Sequence, residues 1–239
     1  MKKIISALAI LGLSTASVSA QPVLKVGPEI GGTFMTMSQK YDGETRSTQF
    51  QPGLRVGGVL DIGFSDAFSL QPGVFFTANN GTESNYTKNY YTGGQVPASI
   101  TDRRRYHISY LQIPVYALYK TGDEYSSHFF IGGGPYLGIA IGGRYQQDFT
   151  NTLNGQNIVK RYDYPINIGY DESDEIGRYD FGLQATAGFE TTFGLYFRVF
   201  YSYGLVNTSP LGGSDNNYRQ SGGGLTVGFF FKTNNNPRY

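Results

Sequence analysis

His107 and Ser109 are the residues of this chain whose types and spacing come nearest to hydrolytic chemistry. A histidine can take the proton of a nearby serine hydroxyl, which then attacks an ester carbon. A working triad also needs a carboxylate that orients the histidine, and no acidic residue of the sequence can be assigned to that role. The alternative is that both are polar side chains at the end of a strand. We favour this alternative, which predicts that the protein is not an enzyme.

Three consecutive arginines, Arg103, Arg104 and Arg105, form the second candidate site. A guanidinium group can bind phosphate oxygens through two parallel hydrogen bonds, so the run predicts contact with lipid phosphates. The alternative is a solvated loop segment whose charge is balanced by a group of acidic residues further along the chain. Those acids lack the alternating ligands and the glycine of a calcium-binding loop. They are Asp171, Glu172, Asp174 and Glu175.

The composition excludes several other kinds of chemistry. The 239 residues include no cysteine, which excludes disulfides, thiolate metal sites and cysteine nucleophiles. The 19 Lys and Arg residues nearly cancel the 18 Asp and Glu residues, so there is no electrostatic case for binding nucleic acid. No phosphate-binding loop, zinc motif or nucleotide fingerprint occurs. We therefore predict no metal and no cofactor.

Strands must position these candidate residues. From Tyr179 to Glu190, residues of two kinds alternate without a break, one row apolar and the other polar or small. The chain is rich in Tyr, Phe and Gly, with 20, 17 and 33 residues, which suits strands and tight turns. After the amino-terminal region, no segment has eighteen consecutive apolar residues, so a membrane-spanning role would require strands.

Eight segments have this alternation with a period of two residues, and their connections alternate between short and long. The long connections, including residues 79–105 and 143–178, all fall at one end, as they do in bacterial outer-membrane barrels. The pattern predicts an all-β fold, an eight-stranded antiparallel up-and-down transmembrane β-barrel. The segments lie near residues 24–34, 54–64, 68–77, 107–120, 128–142, 179–190, 195–205 and 222–232.

The two rows of each segment differ in a way that assigns their environments. One row holds apolar residues without a charge, and the other holds a few charges, many glycines and several large aromatics. A water-facing surface usually carries roughly 25 to 35% charged residues, which is more than the second row has. We therefore expect the apolar row, including Phe181, to face lipid. The second row then fills a narrow lumen.

Eight charged residues belong to the row that faces the lumen. Buried charges must be paired, so we expect a network of salt bridges and hydrogen bonds, with a proton or ion path as the alternative. Because side chains fill an eight-stranded lumen, we also expect the barrel to be closed to solutes. The charged residues are Lys25, Glu29, Arg55, Asp61, Lys120, Asp180, Glu190 and Arg198, and the large aromatics are Phe75, Tyr110, Tyr116, Phe130, Tyr136, Tyr196, Phe200 and Phe230.

Four prolines interrupt the predicted strands. A proline has no N–H to donate to a neighbouring strand, and a closed barrel has no free edge where this would be harmless. We therefore expect a bulge or a displaced strand end at each of Pro28, Pro72, Pro114 and Pro135.

The amino terminus predicts secretion. Two lysines are followed by a short apolar stretch and by the small residues Val18, Ser19 and Ala20, which is typical of a cleaved signal peptide. We expect residues 1–20 to be the signal peptide and residues 21–239 to form one outer-membrane β-barrel domain.

The segment Tyr110 to Lys120, "YLQIPVYALYK", resembles the PorT-like β-barrel family of Gram-negative outer membranes, an OmpA/OmpX-like eight-stranded barrel. In that family a Leu-Glu-Ile-Pro segment leads into an apolar strand, and Gln112 here replaces the glutamate. The early "VGPEIGGTF" and the final "GGLTVGFFFK" are similar to strands of such barrels. The resemblance implies location in the cell outer membrane, and the family is named after a protein linked to a secretion system.

The sequence thus predicts a non-porin outer-membrane barrel whose long extracellular loops serve surface recognition or partner docking. One alternative is a component of a secretion or envelope-assembly machine. Another is a lipid A-modifying enzyme, because lipid A deacylases also have a His-x-Ser pair. The expected partners are outer-membrane lipid and lipopolysaccharide, the barrel-assembly machinery during insertion, and secretion-system proteins under the first alternative. Nucleic acid is not expected.

Overall fold

The structure is a computed structural model in which β-strands form one continuous sheet. The described residues contain no helix that is long and apolar enough to cross a membrane. The predicted signal peptide lies outside the described residues. These are 23–41, 44–46, 48–92, 96–122, 126–153, 155–171, 173–210, 212 and 217–232.

Within the described ranges, eleven strands make up the sheet, and two of them are branches from a closed ring. The strands are β1 (Val23–Tyr41), β2 (Glu44–Arg46), β3 (Gln49–Gly63), β4 (Phe68–Thr92), β5 (Val96–Lys120), β6 (His128–Leu153), β7 (Gln156–Pro165), β8 (Tyr179–Glu190), β9 (Leu195–Gly204), β10 (Asn217–Phe229) and β11 (Phe231–Lys232).

The ring has eight positions, and every pairing in it is antiparallel. Its order is β1, β3, β4, β5, β6, β8, β9 and β10, and β10 pairs with β1 to close it. Strand β11 resumes the path of β10 after Phe230 and pairs with the start of β1. Strand β2 branches from β1, and β7 branches from β6. The predicted eight-stranded antiparallel barrel is confirmed.

The prolines lie within strands and cause no bulge, so the expectation of bulges or displaced ends was wrong. In the pairing with one neighbouring strand, each proline instead lies in a gap of two unpaired residues, and the register is the same on both sides of the gap. The missing N–H therefore interrupts the pairing locally without shifting it. The gaps containing Pro28, Pro72, Pro114 and Pro135 lie between β1 and β10/β11, β3 and β4, β4 and β5, and β5 and β6, respectively.

Strands β4, β5 and β6 continue far past the ring. They have 25, 25 and 26 residues, whereas a transmembrane strand needs about 9–11. With β7 they form a four-stranded projection at the long-loop end, which we call the outer sheet: residues 79–92, 96–109, 142–153 and 156–165. The prediction that residues 79–105 and 143–178 are loops was therefore wrong for most of their length.

The two faces of the ring wall are distinct. In β8, Phe181 and Leu183 are exposed on the outside, whereas Asp180 and Gln184 are buried in the lumen. The outside of the ring is an apolar band to which every strand of the ring contributes. This is the arrangement that a lipid environment requires, because lipid-facing and lumen-facing residues alternate along each strand.

Candidate functional site

Two buried ion pairs lie near the short-turn end of the lumen. Lys25 Nζ donates a hydrogen bond to Glu190 Oε1 at 2.8 Å, and His128 Nε2 lies 3.3 Å from the second oxygen of the same carboxylate. Lys120 Nζ donates to Asp61 Oδ2, while Gln71 Nε2 donates to Asp61 Oδ1 at 3.3 Å. Neither ion pair joins neighbouring strands of the ring, so each one crosses part of the lumen.

Arg198 is at the centre of a third cluster. Its Nε lies 3.1 Å from Glu29 Oε2, and neither side chain has measurable exposure. The guanidinium also donates to Gln71 Oε1 and, at 3.4 Å, to the hydroxyl of Thr186. Tyr196 donates to the same Glu29 oxygen at 2.9 Å. Both charges are therefore surrounded by hydrogen-bonding partners, as buried ions must be.

Arg55 and Asp180 differ from the other six predicted interior charges. Among the described residues, neither has an oppositely charged partner. Arg55 donates to Gln112 Oε1 at 3.2 Å and to the hydroxyl of Tyr116 at 3.3 Å, and its guanidinium carbon lies 3.7 Å from the centre of the Phe75 ring. Asp180 accepts a hydrogen bond from Tyr136 at 2.9 Å. A glutamate at position 112 would give Arg55 the carboxylate that it lacks here.

Aromatic rings occupy the space between these charges. The eight aromatics predicted to point inwards are all buried, and the rings of Tyr196 and Phe230 stack with centroids 4.4 Å apart. Towards the long-loop end, Met37, Ile108 and Tyr145 belong to a separate cluster of buried hydrophobic side chains. Within the described part of the chain, no group of three or more metal-ligating side chains lies together. The aromatic rings and the ion pairs together fill the lumen, as expected for an eight-stranded barrel.

The structure does not bring the three arginines of the run together on one face, and their contact with lipid phosphates stays a prediction. They lie in β5, where successive side chains point to opposite faces, so Arg104 is directed away from Arg103 and Arg105. Arg104 Nη2 lies 2.7 Å from Asp102 Oδ2, and Arg105 Nη2 lies 2.9 Å from Asp148 Oδ2. Arg103 donates to Glu83. The carboxylates that neutralise the run are thus neighbours in the outer sheet.

The acids that were expected to balance the run have other contacts. Asp174 accepts a hydrogen bond from the backbone N–H of Asp171, and Glu175 accepts one from the N–H of Asn167. Both bonds close turns in the connection between β7 and β8. Glu172 lies outside the described residues.

Glu83 shows the effect of the arginines on a carboxyl group outside the membrane-spanning part. Burial acts to raise the pKa of Glu83, but hydrogen bonds from Arg103 and Gln51 and the charges of Arg103 and Arg105 outweigh it. The pKa of Glu83 therefore lies below its usual value of 4.5. The carboxylate is therefore ionised at neutral pH.

His107 and Ser109 line one cavity on the outside of the barrel wall, at the base of the outer sheet. The cavity has a volume of about 480 Å³ and is also lined by Asn79, Gly142, Arg144 and Gln146. We call it the outer-wall cavity. None of the residues that line it is acidic, so a carboxylate that could orient His107 is missing from the cavity lining.

A row of tyrosines crosses the outer sheet, and the sequence analysis missed it. The rings of Tyr106, Tyr145 and Tyr164 lie side by side on β5, β6 and β7, with centroids 4.9 Å apart in each step. Tyr86 and Tyr162 are exposed higher on the same sheet. These segments lack the contrast between apolar and polar rows, because both faces of the outer sheet lie outside the membrane.

The closed ring, its apolar outer band and its charged interior identify a membrane barrel. A family model described as "Outer membrane protein beta-barrel domain" matches residues 19–210. The chain belongs to this outer-membrane β-barrel family. It is accordingly an outer-membrane protein.

Comparison with solved structures gives distant similarities to other barrels. OprG from Pseudomonas aeruginosa is 11% identical with a TM-score of 0.44, and the match covers 89% of this chain and 96% of that chain. Ail from Yersinia pestis is 10% identical with a TM-score of 0.34, covering 89% and 100%. Neisserial surface protein A is 12% identical with a TM-score of 0.34, covering 87% and 97%. The comparison with curated proteins gave no match.

Proposed function

We propose that this protein is a closed outer-membrane anchor that presents the outer sheet for recognition at the cell surface. The observation that carries the proposal is the continuation of β4, β5 and β6, with β7 added, beyond a ring whose lumen is filled by side chains. A barrel that served only for diffusion would need an open interior. The long strands are not needed to cross the membrane.

The outer sheet has the chemistry of a recognition surface. All ten residues of β7 are exposed, and aromatic residues such as Tyr86 and Tyr162 stand out from the sheet. Tyrosine is enriched in protein interfaces because its ring offers apolar area and its hydroxyl a hydrogen bond. Ion pairs link neighbouring strands of this surface. Membership of a secretion complex and of the PorT-like family remain predictions, as does lipid modification.

A photo-crosslinking experiment in intact cells tests this function. Benzoylphenylalanine is introduced in place of Tyr86 or Tyr162 in the outer sheet, and in place of lipid-facing Tyr203 as the control. We expect a discrete protein adduct from the two outer-sheet positions and none from position 203. Absence of an adduct from both outer-sheet positions would contradict partner docking.

The closed lumen is tested separately in planar lipid bilayers. We expect the purified full chain to give no stable, large conductance steps, because aromatic rings and ion pairs occupy the lumen. Reproducible large steps from the folded protein would contradict the anchor function and favour transport.

A further inference from the structure

The outer-wall cavity is formed by two irregularities in neighbouring strand pairs. The register between β4 and β5 shifts between Thr77 and Asn80, and the register between β5 and β6 shifts between Ser109 and Tyr110. Asn79, at the first shift, has a φ of 60°. A β-bulge redirects side chains and is common beside functional sites. Here both bulges open towards the same cavity.

The cavity lies where the apolar band of the barrel ends. Ile141 is exposed on the outer wall next to Gly142, and Phe76 is exposed on β4 below Asn79. A Cβ atom added at Gly142 would meet nothing within 4 Å, so the wall is open at this point. Ser109 and Arg144 begin the polar surface above. This is the level at which the polar headgroups of the outer leaflet meet the barrel.

The lining of the cavity favours an anion. His107, Ser109, Asn79, Gln146 and Arg144 can each donate a hydrogen bond, and no carboxylate is among the residues that line it. His107 Nδ1 is buried and has no hydrogen-bond partner in the described part of the chain. Donors of this kind around one arginine bind phosphate oxygens well.

One carboxylate lies at the edge of the cavity. Asp163 of β7 accepts hydrogen bonds from Arg144 at 3.5 Å and from Gln146 at 3.3 Å. The Arg144 side chain is 67% exposed, so this contact is long and open to solvent. Exposed ion pairs of this kind contribute little to stability. An entering phosphate can therefore compete for Arg144, whereas Arg103, Arg104 and Arg105 are each held by closer carboxylates.

We propose that the outer-wall cavity binds the phosphate group of an outer-leaflet lipid headgroup, with Arg144 and His107 as its main contacts. The acyl chains of the lipid would lie along the apolar wall beside Ile141 and Phe76. This inference goes beyond the proposed function, because it concerns the surrounding lipid and does not require a surface partner.

Native mass spectrometry of the full chain in detergent micelles tests the site, with bisphosphorylated lipid A as the probe. We expect the wild-type barrel to retain one lipid A molecule. Arg144→Gln and His107→Phe should each weaken retention by about tenfold, because the first removes the positive charge that faces the phosphate and the second removes the imidazole donor. Arg161→Gln is the matched control, since Arg161 lies on β7 outside the cavity and should leave retention unchanged. Equal retention by all four proteins would overturn the proposal.

Two further ligands identify the source of the phosphate. Lipid A from which the phosphates have been removed should bind about tenfold more weakly than the intact lipid. Inorganic phosphate in excess should leave the lipid bound. Equal binding of the dephosphorylated lipid would overturn phosphate recognition, and complete displacement by inorganic phosphate would overturn the assignment to a lipid headgroup.

Folding of each variant is checked by its heat-modifiable migration in gel electrophoresis. If Arg144→Gln does not fold, Ser109→Ala replaces it, because Ser109 is a smaller donor in the same cavity. Unchanged retention by folded Ser109→Ala and His107→Phe would then overturn the proposal.

Discussion

Ion pairs of similar length occur in two very different regions of this molecule. In the lumen, Arg198 Nε lies 3.1 Å from Glu29 and neither side chain is exposed. In the outer sheet, Arg161 Nε lies 3.3 Å from Asp148, but the Arg161 side chain is 80% exposed. Breaking a buried pair leaves a charge without solvent, whereas an exposed partner is hydrated at once. The distance between the charged atoms therefore says little about what each pair contributes to the free energy of unfolding.

The largest difference should appear when the cation is removed from each pair. We expect Arg198→Met to lower the free energy of unfolding by about 3–5 kcal/mol, because Glu29 is left buried without its partner. We expect Arg161→Met to lower it by less than about 1 kcal/mol. Urea unfolding of the barrel in lipid vesicles, followed by tyrosine fluorescence, measures both. Similar losses for the two variants would show that the lumen is better hydrated than its packing indicates.

Double-mutant cycles should show a smaller difference, in coupling energy, between a buried and an exposed ion pair. Asp61→Asn and Lys120→Met disrupt the buried pair between β3 and β5. We expect a coupling energy of about 2 kcal/mol, because the second substitution removes the charge that the first leaves unpaired. The corresponding cycle for Arg144 and Asp163 in the outer sheet should give less than about 0.5 kcal/mol. Additive effects at Asp61 and Lys120 would contradict a desolvated pair.

An added methyl group should also lower the free energy of unfolding more in the lumen than on the outer surface. A Cβ atom at Gly228 would overlap the ring of Tyr196, which donates to Glu29. We expect Gly228→Ala to cost about 1–3 kcal/mol, because the ring must move. Gly32 on the outside of β1 has only the carbonyl oxygen of Gly53 near it, at 3.9 Å. Gly32→Ala is the control in the same urea unfolding experiment, and a cost equal to that of Gly228→Ala would argue against a filled lumen.

The barrel was predictable from the sequence because the lipid-facing row must be apolar, whereas the lumen-facing row holds polar, charged and small residues. The strict alternation in Tyr179 to Glu190 gave the strand, its register and the lipid-facing side of Phe181. The outer sheet was not predictable by the same method. Residues such as Thr87 and Thr101 pair across β4 and β5 through their hydroxyls, but both faces are polar there and no contrast marks a strand.

Among the candidate sites, the sequence indicated which residues share a face but not which of them meet. The interior position of Lys25 and Glu190 follows from the alternation, whereas their pairing depends on ring closure between residues 165 positions apart. His107 and Ser109 share a face because they are two residues apart. Arg144 joins them only through the pairing of β5 with β6 and its register shift between Ser109 and Tyr110, for which the sequence carries no recognisable signal.

The smallest expected effect is a pH dependence confined to the outer sheet. The pKa of Glu83 is lower in the folded protein than its usual value of 4.5, so its contribution to stability is complete above that value. That contribution is lost as the pH falls through the lowered pKa, because the carboxyl then takes up a proton and its attraction to Arg103 and Arg105 ends. Amide hydrogen exchange of residues 79–109, corrected for the intrinsic pH dependence of exchange, should show a modest loss of protection in acid. In Glu83→Gln, which cannot titrate, most of this change should disappear. An equal loss of protection in the variant would place the pH sensitivity on groups other than Glu83 and would mean that the ionised Glu83 contributes little to the stability of the outer sheet.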